Sequence, residues 1–252
     1  MVGCVGEDAE GQAYRQRLRG EGINVSGLFQ APKVLTGTAL IAVDRKAENM
    51  IIVAASANAE LRPSAIRAQH ALIASVDVVL LQFEIPMASV VESVRLANHA
   101  KVRVVLNPSP LRDGYPWGKY KLDSLIVNSG EAAAIFRKPP GEIGTHLSSW
   151  RRALSQRNVE NLIVTRGAEP SICVTPTNYF EVPTLRVKPI DTVGAGDAFA
   201  GAFAANRARG IDLRTAICCA NCAGALATLK PGAQEAIPDR AATERAAKRH
   251  HP

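Results

Sequence analysis

Short apolar runs alternate with amphipathic stretches along most of the chain. Strand-like runs occur at residues 76–82, 102–106, 122–127 and 161–165. Segments with helical spacing of apolar residues lie between them, and one covers 146–157. Regular alternation of strands and helices is typical of a sheet that is covered on both faces. The pattern therefore predicts an α/β fold with a doubly wound, mostly parallel sheet and helices on both faces.

The segment 35–54 departs from this rhythm. Residues 36–43 and 49–53 both have strand patterns, and the polar residues 44–48 separate them. Two strands joined by a short polar connection predict a β-hairpin. We interpret it as a lid attached to the main sheet. The sequence shows no convincing linker, so residues 1–252 are predicted to form one domain that contains this hairpin.

Two helices rich in small residues are predicted near the C-terminus. The first covers about 195–208 and ends before Gly210, and the second begins after Asp212, which is a good helix cap. The second helix contains a C-x-x-C pattern from Cys219 to Cys222. No second pair of metal ligands accompanies it, so we interpret these cysteines as small residues in a packed helix.

Composition narrows the class of protein. The chain has 252 residues, of which 47% are hydrophobic and 21% charged, as in ordinary globular proteins. No apolar run approaches the length of about 18 residues that a membrane helix needs. The first residues do not resemble a signal peptide, and five cysteines do not suggest a disulfide framework. We therefore expect a cytoplasmic protein without a membrane partner.

The net charge of +7 raises the alternative of nucleic-acid binding. However, the basic residues are mostly dispersed, and only 5% of the residues are aromatic, so stacking platforms for bases are scarce. A solvated basic surface explains the charge better, and we expect no nucleic-acid partner.

The segment 191–197 has the strongest chemical signal. Gly194, Ala195 and Gly196 open a predicted helix, whose first N–H groups lack partners and favour an anion such as phosphate. Asp197 would repel that anion unless it accepts a proton from a hydroxyl that attacks the phosphate. The alternative is a glycine-rich helix start in which Asp197 only caps the helix. Asp191, a second acidic residue nearby, slightly favours the functional interpretation.

A family resemblance decides between these alternatives. The stretch from Asp191 to Phe199 resembles the signature of the ribokinase (phosphofructokinase B-type) family. The resemblance continues in order along the chain. The other matching segments are Val5-Gly6-Glu7-Asp8, Thr36-Gly37-Thr38-Ala39, Ala57-Asn58-Ala59, Gln82-Phe83-Glu84, 106–110, Asn128-Ser129-Gly130-Glu131 and Lys230-Pro231-Gly232-Ala233.

The resemblance implies an ATP-dependent kinase that phosphorylates a sugar hydroxyl, with ribose giving ribose 5-phosphate as the expected reaction. Asp197 would be the catalytic base and would also contact the sugar. The amides of Gly194, Ala195 and Gly196 would form the anion hole. Glu84 follows a strand end, where open α/β sheets bind ligands, and would contact the sugar. Its alternative is an exposed loop carboxylate.

The resemblance also assigns the nucleotide and cation sites. Asn128 and Glu131 would organise Mg²⁺ and phosphates through water, unless Asn128 merely caps a helix. The remaining nucleotide contacts would come from Thr165, Arg166, Gly167, Gly196 and Asn221, although the first three also suit a plain turn and Asn221 a polar helix position. A monovalent cation, potassium, would bind Asp191 and carbonyls near Val193, Ala227, Lys230 and Gly232.

The sequence also departs from the family pattern. The family's N-terminal strand, with an Asn-x-Asp-like sugar contact, and the following Gly-Gly-Lys-Gly-x-Asn-like segment are absent. The chain is therefore either a fragment or a short protein with a degraded sugar site. Pro170 replaces a usual glycine, and Ala236 a usual hydroxyl residue. Open alternatives are a kinase for another sugar or a nucleoside, and an inactive nucleotide-binding remnant. The expected partners are a sugar, ATP and, if the lid is complete, a second copy bound through it.

Overall fold

The computed structural model describes residues 1–43 and 49–250. The chain divides into two compact units. The first unit comprises Met1–Val76, Gln82–Val102 and Ser109–Pro116, and the second comprises Asp77–Leu81, Arg103–Pro108 and Trp117–Pro252. A single kinase domain over 1–252 stays a prediction, and the two units are described in turn.

The first unit begins with a parallel strand pair joined by a helix. Strand β1 (Val2–Gly6) leads through helix α1 (Ala9–Gly20) to β2 (Gly27–Ala31), and Cys4 lies opposite Phe29. A small apolar core holds the helix against the strands because its side chains leave water together. This core consists of Val5, Leu18, Val25 and Leu28.

A β-hairpin follows in the first unit, as the sequence predicts. Strands β3 (Thr38–Val43) and β4 (Asn49–Ala54) are antiparallel, and Leu40 lies opposite Ile52. Both of these side chains are exposed, at 68% and 57%. The predicted turn 44–48 lies outside the described residues. The hairpin's role as a lid stays a prediction.

Helices complete the first unit. A 3₁₀ turn at Ser56–Glu60 precedes three α-helices, and the first two pack against the third. A hydrogen bond fixes this arrangement, in which the buried Ser89 hydroxyl donates to the carbonyl of Leu61. The helices are α2 (Pro63–Ala68), α3 (His70–Ala74) and α4 (Met87–His99).

The second unit is built on a six-stranded sheet with the strand order β10-β9-β8-β7-β6-β5. The four strands from β5 to β8 are parallel, and β9 and β10 form an antiparallel edge. The predicted mostly parallel sheet is therefore confirmed. The strands are β5 (Val78–Leu81), β6 (Arg103–Leu106), β7 (Leu122–Asn128), β8 (Val159–Arg166), β9 (Glu169–Val174) and β10 (Tyr179–Val182).

Helices cover both faces of this sheet. Ile126 and Ile163 belong to a core with Phe199 and Phe203 on one face. Their neighbours along each strand point to the opposite face and are also buried, which is why these strands are apolar throughout. The helices of the second unit are α5 (Ser129–Phe136), α6 (Leu147–Gln156), α7 (Ala195–Ala208), α8 (Leu213–Ala227) and α9 (Arg240–His250).

Helices α7 and α8 pack closely along each other. A Cβ atom added to Gly224 would lie 3.1 Å from the carbonyl oxygen of Ala195, so a larger residue there would push the helices apart. The small residues predicted in these helices therefore bring α8 against the first turn of α7. Over the described ranges, no helix has the length and apolar character that crossing a membrane requires.

Candidate active site

The first turn of α7 requires a glycine. Gly194 precedes the helix with a φ of 76°, a left-handed conformation that glycine adopts without strain. A Cβ atom at this position would also lie 3.2 Å from the carbonyl oxygen of Ala233, so a second loop passes close to the helix tip. Glycine at 194 thus allows both the left-handed backbone before α7 and the close approach of this second loop.

Only some of the backbone amides at this helix tip donate hydrogen bonds within the protein. The N–H group of Ala195 donates to the carbonyl of Thr192 at 3.3 Å, so it is less available than the sequence suggested. In the ranges described, the N–H groups of Gly194, Gly196 and Asp197 have no hydrogen-bond partner. These donors and the helix dipole favour an anion at this point.

Asp197 lies in the first turn of α7. Its residue surface remains exposed, but the surrounding protein limits the hydration of the carboxyl group. This desolvation raises the pKa of Asp197 above the ordinary value of 3.8. Since no hydrogen bond engages the side chain among the described residues, the carboxylate is free to accept a proton.

The carboxylate of Asp191, unlike that of Asp197, is held by hydrogen bonds. One carboxylate oxygen accepts from the N–H of Val193 at 3.0 Å, and the other accepts from the N–H of Gly232 at 3.0 Å. The bond to Val193, followed by the bond to Gly232, lowers the pKa of Asp191 below its ordinary value. Asp191 therefore joins the loop before α7 to the loop after α8 in its charged form.

The residues of the predicted cation site lie in and next to these two loops. Asp191, Val193 and Gly232 meet, and the carbonyl of Thr228 accepts from the N–H groups of Ile190 and Asp191. Ala227 and Lys230 flank Thr228 in the chain. Sequence analysis missed the part played by Thr228, since a backbone carbonyl leaves no mark in the sequence. Oxygen ligands from Asp191 and from backbone carbonyls would suit a hard cation such as K⁺, and this cation site stays a prediction.

Asn128 and Glu131 form a capping box at the start of α5. The Asn128 side-chain oxygen accepts from the N–H of Glu131 at 2.8 Å, and the Glu131 carboxylate accepts from the N–H of Asn128 at 2.9 Å. The structure therefore shows the helix-cap alternative in full. It also places Asn128 opposite Thr165, at the carboxyl ends of two adjacent parallel strands.

Strands β8 and β9 form a hairpin, and the charged side chain of Arg166 at its turn already makes hydrogen bonds within the protein. The Arg166 guanidinium donates to the carbonyl of Pro170 at 2.7 Å and to the carboxylate of Glu181 at 2.9 Å. The Arg166 side chain is thus engaged within the protein, and the place of Arg166 in the nucleotide-binding turn stays a prediction. Gly167 has a φ of 63°, as the turn requires, and Thr165 donates weakly to the carbonyl of Val127 at 3.4 Å.

The side chain of Asn221 also makes hydrogen bonds within the protein. It is 4% exposed, and its amide nitrogen donates to the carbonyls of Val182 and Pro183 at 3.0 and 3.1 Å. Its oxygen accepts from the Ser171 hydroxyl at 2.6 Å. This network ties α8 to β9 and the end of β10. Asn221 therefore has a structural role in the described contacts, and its place close to the nucleotide stays a prediction.

Glu84 belongs to the first unit, just after the end of β5. Its N–H donates to the side-chain oxygen of Gln82 at 3.1 Å, and no described hydrogen bond engages its carboxylate. Its predicted contact with a sugar stays a prediction.

Among the described residues, no three His, Cys, Asp or Glu side chains converge to form a metal site. A divalent ion at the helix tip would therefore take most of its ligands from phosphate oxygens and water. This is the usual way in which Mg²⁺ binds with a nucleotide.

The fold and the helix tip define a class of protein. A mostly parallel sheet carries a helix tip with unbonded N–H donors, and beside them lies an unbonded carboxylate with a raised pKa. This arrangement suits an enzyme that transfers a phosphoryl group to a hydroxyl. The model of the pfkB family carbohydrate kinases matches residues 1–240. The chain belongs to this family, in which it is a ribokinase-like sugar kinase.

Individual relatives agree with the family match. The chain is 31% identical over 243 residues to a ribokinase of Bacillus subtilis, and the alignment covers 95% of this chain and 78% of the relative. It is 28% identical over 239 residues to a bifunctional ribokinase/ribose-5-phosphate isomerase A of Fructilactobacillus sanfranciscensis. There the alignment covers 94% of this chain but only 44% of the relative.

Solved structures share the fold. A ribokinase of Thermotoga maritima matches with a TM-score of 0.84 and 30% identity, over 98% of this chain and 80% of the other. An Arabidopsis thaliana ribokinase complexed with ribose and ATP matches with a TM-score of 0.88 and 24% identity, over 98% of this chain and 81% of the other. The predicted ribokinase-like fold is thus confirmed.

Proposed function

We propose that this chain transfers the γ-phosphoryl group of ATP to the primary hydroxyl of a pentose, with ribose as the substrate and ribose 5-phosphate as the product. The helix tip at Asp197 is the observation that carries the proposal. It combines unbonded backbone donors with a carboxylate whose pKa is raised. The ribose and ATP in the complex of the Arabidopsis relative support the choice of both substrates.

In this reaction the hydroxyl of the sugar gives its proton to Asp197 as the hydroxyl oxygen attacks the γ-phosphorus. The bond between the γ-phosphorus and the oxygen that bridges it to the β-phosphorus breaks, and ADP leaves. Desolvation raises the pKa of the Asp197 carboxylate and makes it a stronger base than an ordinary aspartate. The N–H groups of Gly194, Gly196 and Asp197 would stabilise the negative charge that develops on the transferred group.

Cations complete the proposed site. Mg²⁺ bound to the phosphates would neutralise their charge, and Asn128 and Glu131 would orient its water ligands from the start of α5. A potassium ion beside Asp191 would hold the loops on either side of the α7 tip in place. Asp191 is suited to this role because both of its oxygens already join these loops.

Two further assignments stay predictions. A homodimer formed through the hairpin would cover Leu40 and Ile52, whose exposure gives the hairpin an apolar surface. A cytoplasmic location would suit the five free cysteines, since thiols stay reduced in that compartment.

A sugar panel tests the proposed function. ADP release is measured with ATP and Mg²⁺, with and without potassium, for ribose, deoxyribose, fructose and adenosine. We expect the highest kcat/KM with ribose and a clear stimulation by potassium. A chain that binds ATP but releases no ADP with any acceptor would overturn the proposal in favour of a nucleotide-binding module. A clear preference for another acceptor would overturn only the choice of ribose.

A further inference from the structure

Two segments with a family resemblance but no assigned role meet in the first unit. They are Val5-Gly6-Glu7-Asp8, at the end of β1, and Thr36-Gly37-Thr38-Ala39, where the β3–β4 hairpin begins. The Asp8 carboxylate joins them although Asp8 and Thr36 are 28 residues apart in the chain. One carboxylate oxygen accepts from the N–H of Thr36 at 2.6 Å, and the other accepts from the Thr36 hydroxyl. We call these two bonds the Asp8–Thr36 clamp.

The same carboxylate also caps helix α1. It accepts from the N–H of Gly11 at 2.9 Å, as an aspartate before a helix ordinarily does. A helix cap needs no partner elsewhere in the chain. Asp212, which caps α8, accepts from Thr215 of its own helix at 3.0 Å, and no hydrogen bond in the described contacts joins its carboxylate to a distant segment. The clamp is therefore additional to what capping requires.

Close packing surrounds the clamp. The N–H of Gly6 donates to the Thr36 hydroxyl at 2.9 Å, so this hydroxyl is bonded on both sides. A Cβ atom added to Gly6 would lie 2.5 Å from the backbone nitrogen of Thr36, and one added to Gly11 would lie 2.8 Å from the Thr36 hydroxyl oxygen. The Thr36 hydroxyl, followed by the Thr36 N–H, lowers the pKa of Asp8 below its ordinary value of 3.8. These residues therefore hold Thr36 in one place.

The clamp lies at the base of the hairpin, where its two strands come together. Thr38 lies opposite Ala54, and just outside this pair the N–H of Ala57 donates to the carbonyl of Leu35 at 3.0 Å. Strand β3 has six residues and is therefore about 20 Å long, so a small rotation at the base moves the far end of the strand by several ångströms. A bond at this base consequently controls the direction of the whole hairpin.

We propose that Asp8 is a positioning residue for the sugar, because through Thr36 it holds the hairpin in the orientation in which the hairpin covers the substrate. The inference rests on the proposed function and on the predicted role of the hairpin as a lid. Asp8 takes no part in proton transfer. Glu84, the predicted sugar contact, belongs to the same unit as the hairpin. Loss of the clamp should therefore weaken sugar binding and leave ATP binding unchanged.

Asp8→Asn separates the two roles of this carboxylate. Asparagine caps a helix as well as aspartate does, so α1 keeps its cap. Its NH₂ group is a donor, however, and cannot accept from the N–H of Thr36. We expect the KM for ribose to rise about tenfold, the usual effect of losing a hydrogen bond to a charged group. The KM for ATP and the kcat should change little.

Variants of the partner residue test the same bond from its other side. Thr36→Val removes the hydroxyl and should raise the KM for ribose, whereas Thr36→Ser keeps the hydroxyl and should retain the original KM. The matched control is Thr38→Val. The Thr38 hydroxyl donates only to the nearby carbonyl of Thr36, at 3.2 Å, so its loss should leave the KM for ribose unchanged. These variants give the answer even if Asp8→Asn folds poorly.

Amide hydrogen exchange of the ligand-free chain gives a readout that does not depend on activity. The N–H groups of Gly6 and Ala57 donate to acceptors that Asp8→Asn leaves in place, so their exchange reports whether the hairpin base separates. We expect both to exchange about tenfold faster in Asp8→Asn, while the amides of α1 are unchanged.

Two results would overturn the role of Asp8. One is an active chain whose Asp8→Asn variant keeps the original KM for ribose. The other is exchange that accelerates equally throughout α1, which would make Asp8 a helix cap and nothing more. The proposed function fails in a different way, since the unchanged chain would then release no ADP with any acceptor.

Discussion

Asp191 and Asp197 lie six residues apart, yet the protein treats their carboxylates in opposite ways. Backbone N–H groups bind both oxygens of Asp191 and lower its pKa, whereas desolvation raises the pKa of Asp197, which no described hydrogen bond engages. A carboxylate that already accepts hydrogen bonds from the backbone stabilises the folded structure. One that is desolvated and unbonded is available for chemistry.

The same distinction separates the polar residues of the candidate site. Asn128 and Asn221 direct side-chain atoms at neighbouring protein groups, as Asp191 does. The resemblance to a family makes all of these residues look functional. The hydrogen bonds show which of them the fold itself already needs, and they leave the Asp197 carboxylate without a structural role in the described contacts.

The largest effect is expected at Asp197. Asp197→Asn keeps the shape of the side chain but removes the base, so the turnover number should fall by about 10²–10⁴-fold, the usual contribution of a general base. ATP affinity and the free energy of unfolding should change little. ADP release measures the turnover number, and calorimetric ATP binding measures the ATP affinity in parallel. A variant that retains full turnover would contradict the assignment of Asp197 as the catalytic base.

A smaller loss, now of stability, is expected at Asn221. Asn221→Ala leaves the buried Ser171 hydroxyl and the carbonyls of Val182 and Pro183 without their partner, which should cost about 2–3 kcal/mol of unfolding free energy. Urea unfolding of the ligand-free chain measures this cost. Loss of ATP affinity without loss of stability would instead make Asn221 a nucleotide ligand.

At Asp191 we expect about 1–2 kcal/mol of lost stability, because Asp191→Asn retains one acceptor and the group is partly solvated. The variant should also lose the proposed stimulation by potassium. Asp197→Asn is the matched control, since it changes the same chemical group without breaking a hydrogen bond. If both variants lost equal stability, the distinction between the two carboxylates would disappear.

The smallest effects are expected in the pH dependence, where the two residues have opposite signs. The folded pKa of Asp191 is lowered, so its stabilisation is complete above the ordinary value of 3.8 and is lost as pH falls through its folded pKa. The folded pKa of Asp197 is raised, so protonation on acidification relieves its desolvation and adds stability. Unfolding curves of the two asparagine variants against pH should each lack one of these contributions.

Sequence analysis predicted the fold well because its signals are local and repeated. The apolar runs that became β5 to β8 and the helices between them determine a parallel sheet. The hairpin of β3 and β4 was equally clear, because its two strand patterns flank a polar stretch of sequence. The Gly-Ala-Gly start of α7 also follows from the sequence, since glycine allows the left-handed conformation of Gly194.

Side-chain direction could not be predicted from the sequence. The Arg166 guanidinium turns back to Pro170 and Glu181, and Asn221 is buried in a network with Ser171, which lies fifty residues earlier in the chain. The carbonyl of Thr228, which holds the loop before α7, leaves no sequence signal. These contacts depend on how distant segments pack.

The most direct test is a titration of the two aspartate carboxyl groups by NMR in the folded, ligand-free chain, assigned with the Asp191→Asn and Asp197→Asn variants. We predict that the pKa of Asp197 lies above 3.8 and that of Asp191 below it. An Asp197 carboxyl that titrates at or below Asp191 would contradict the account.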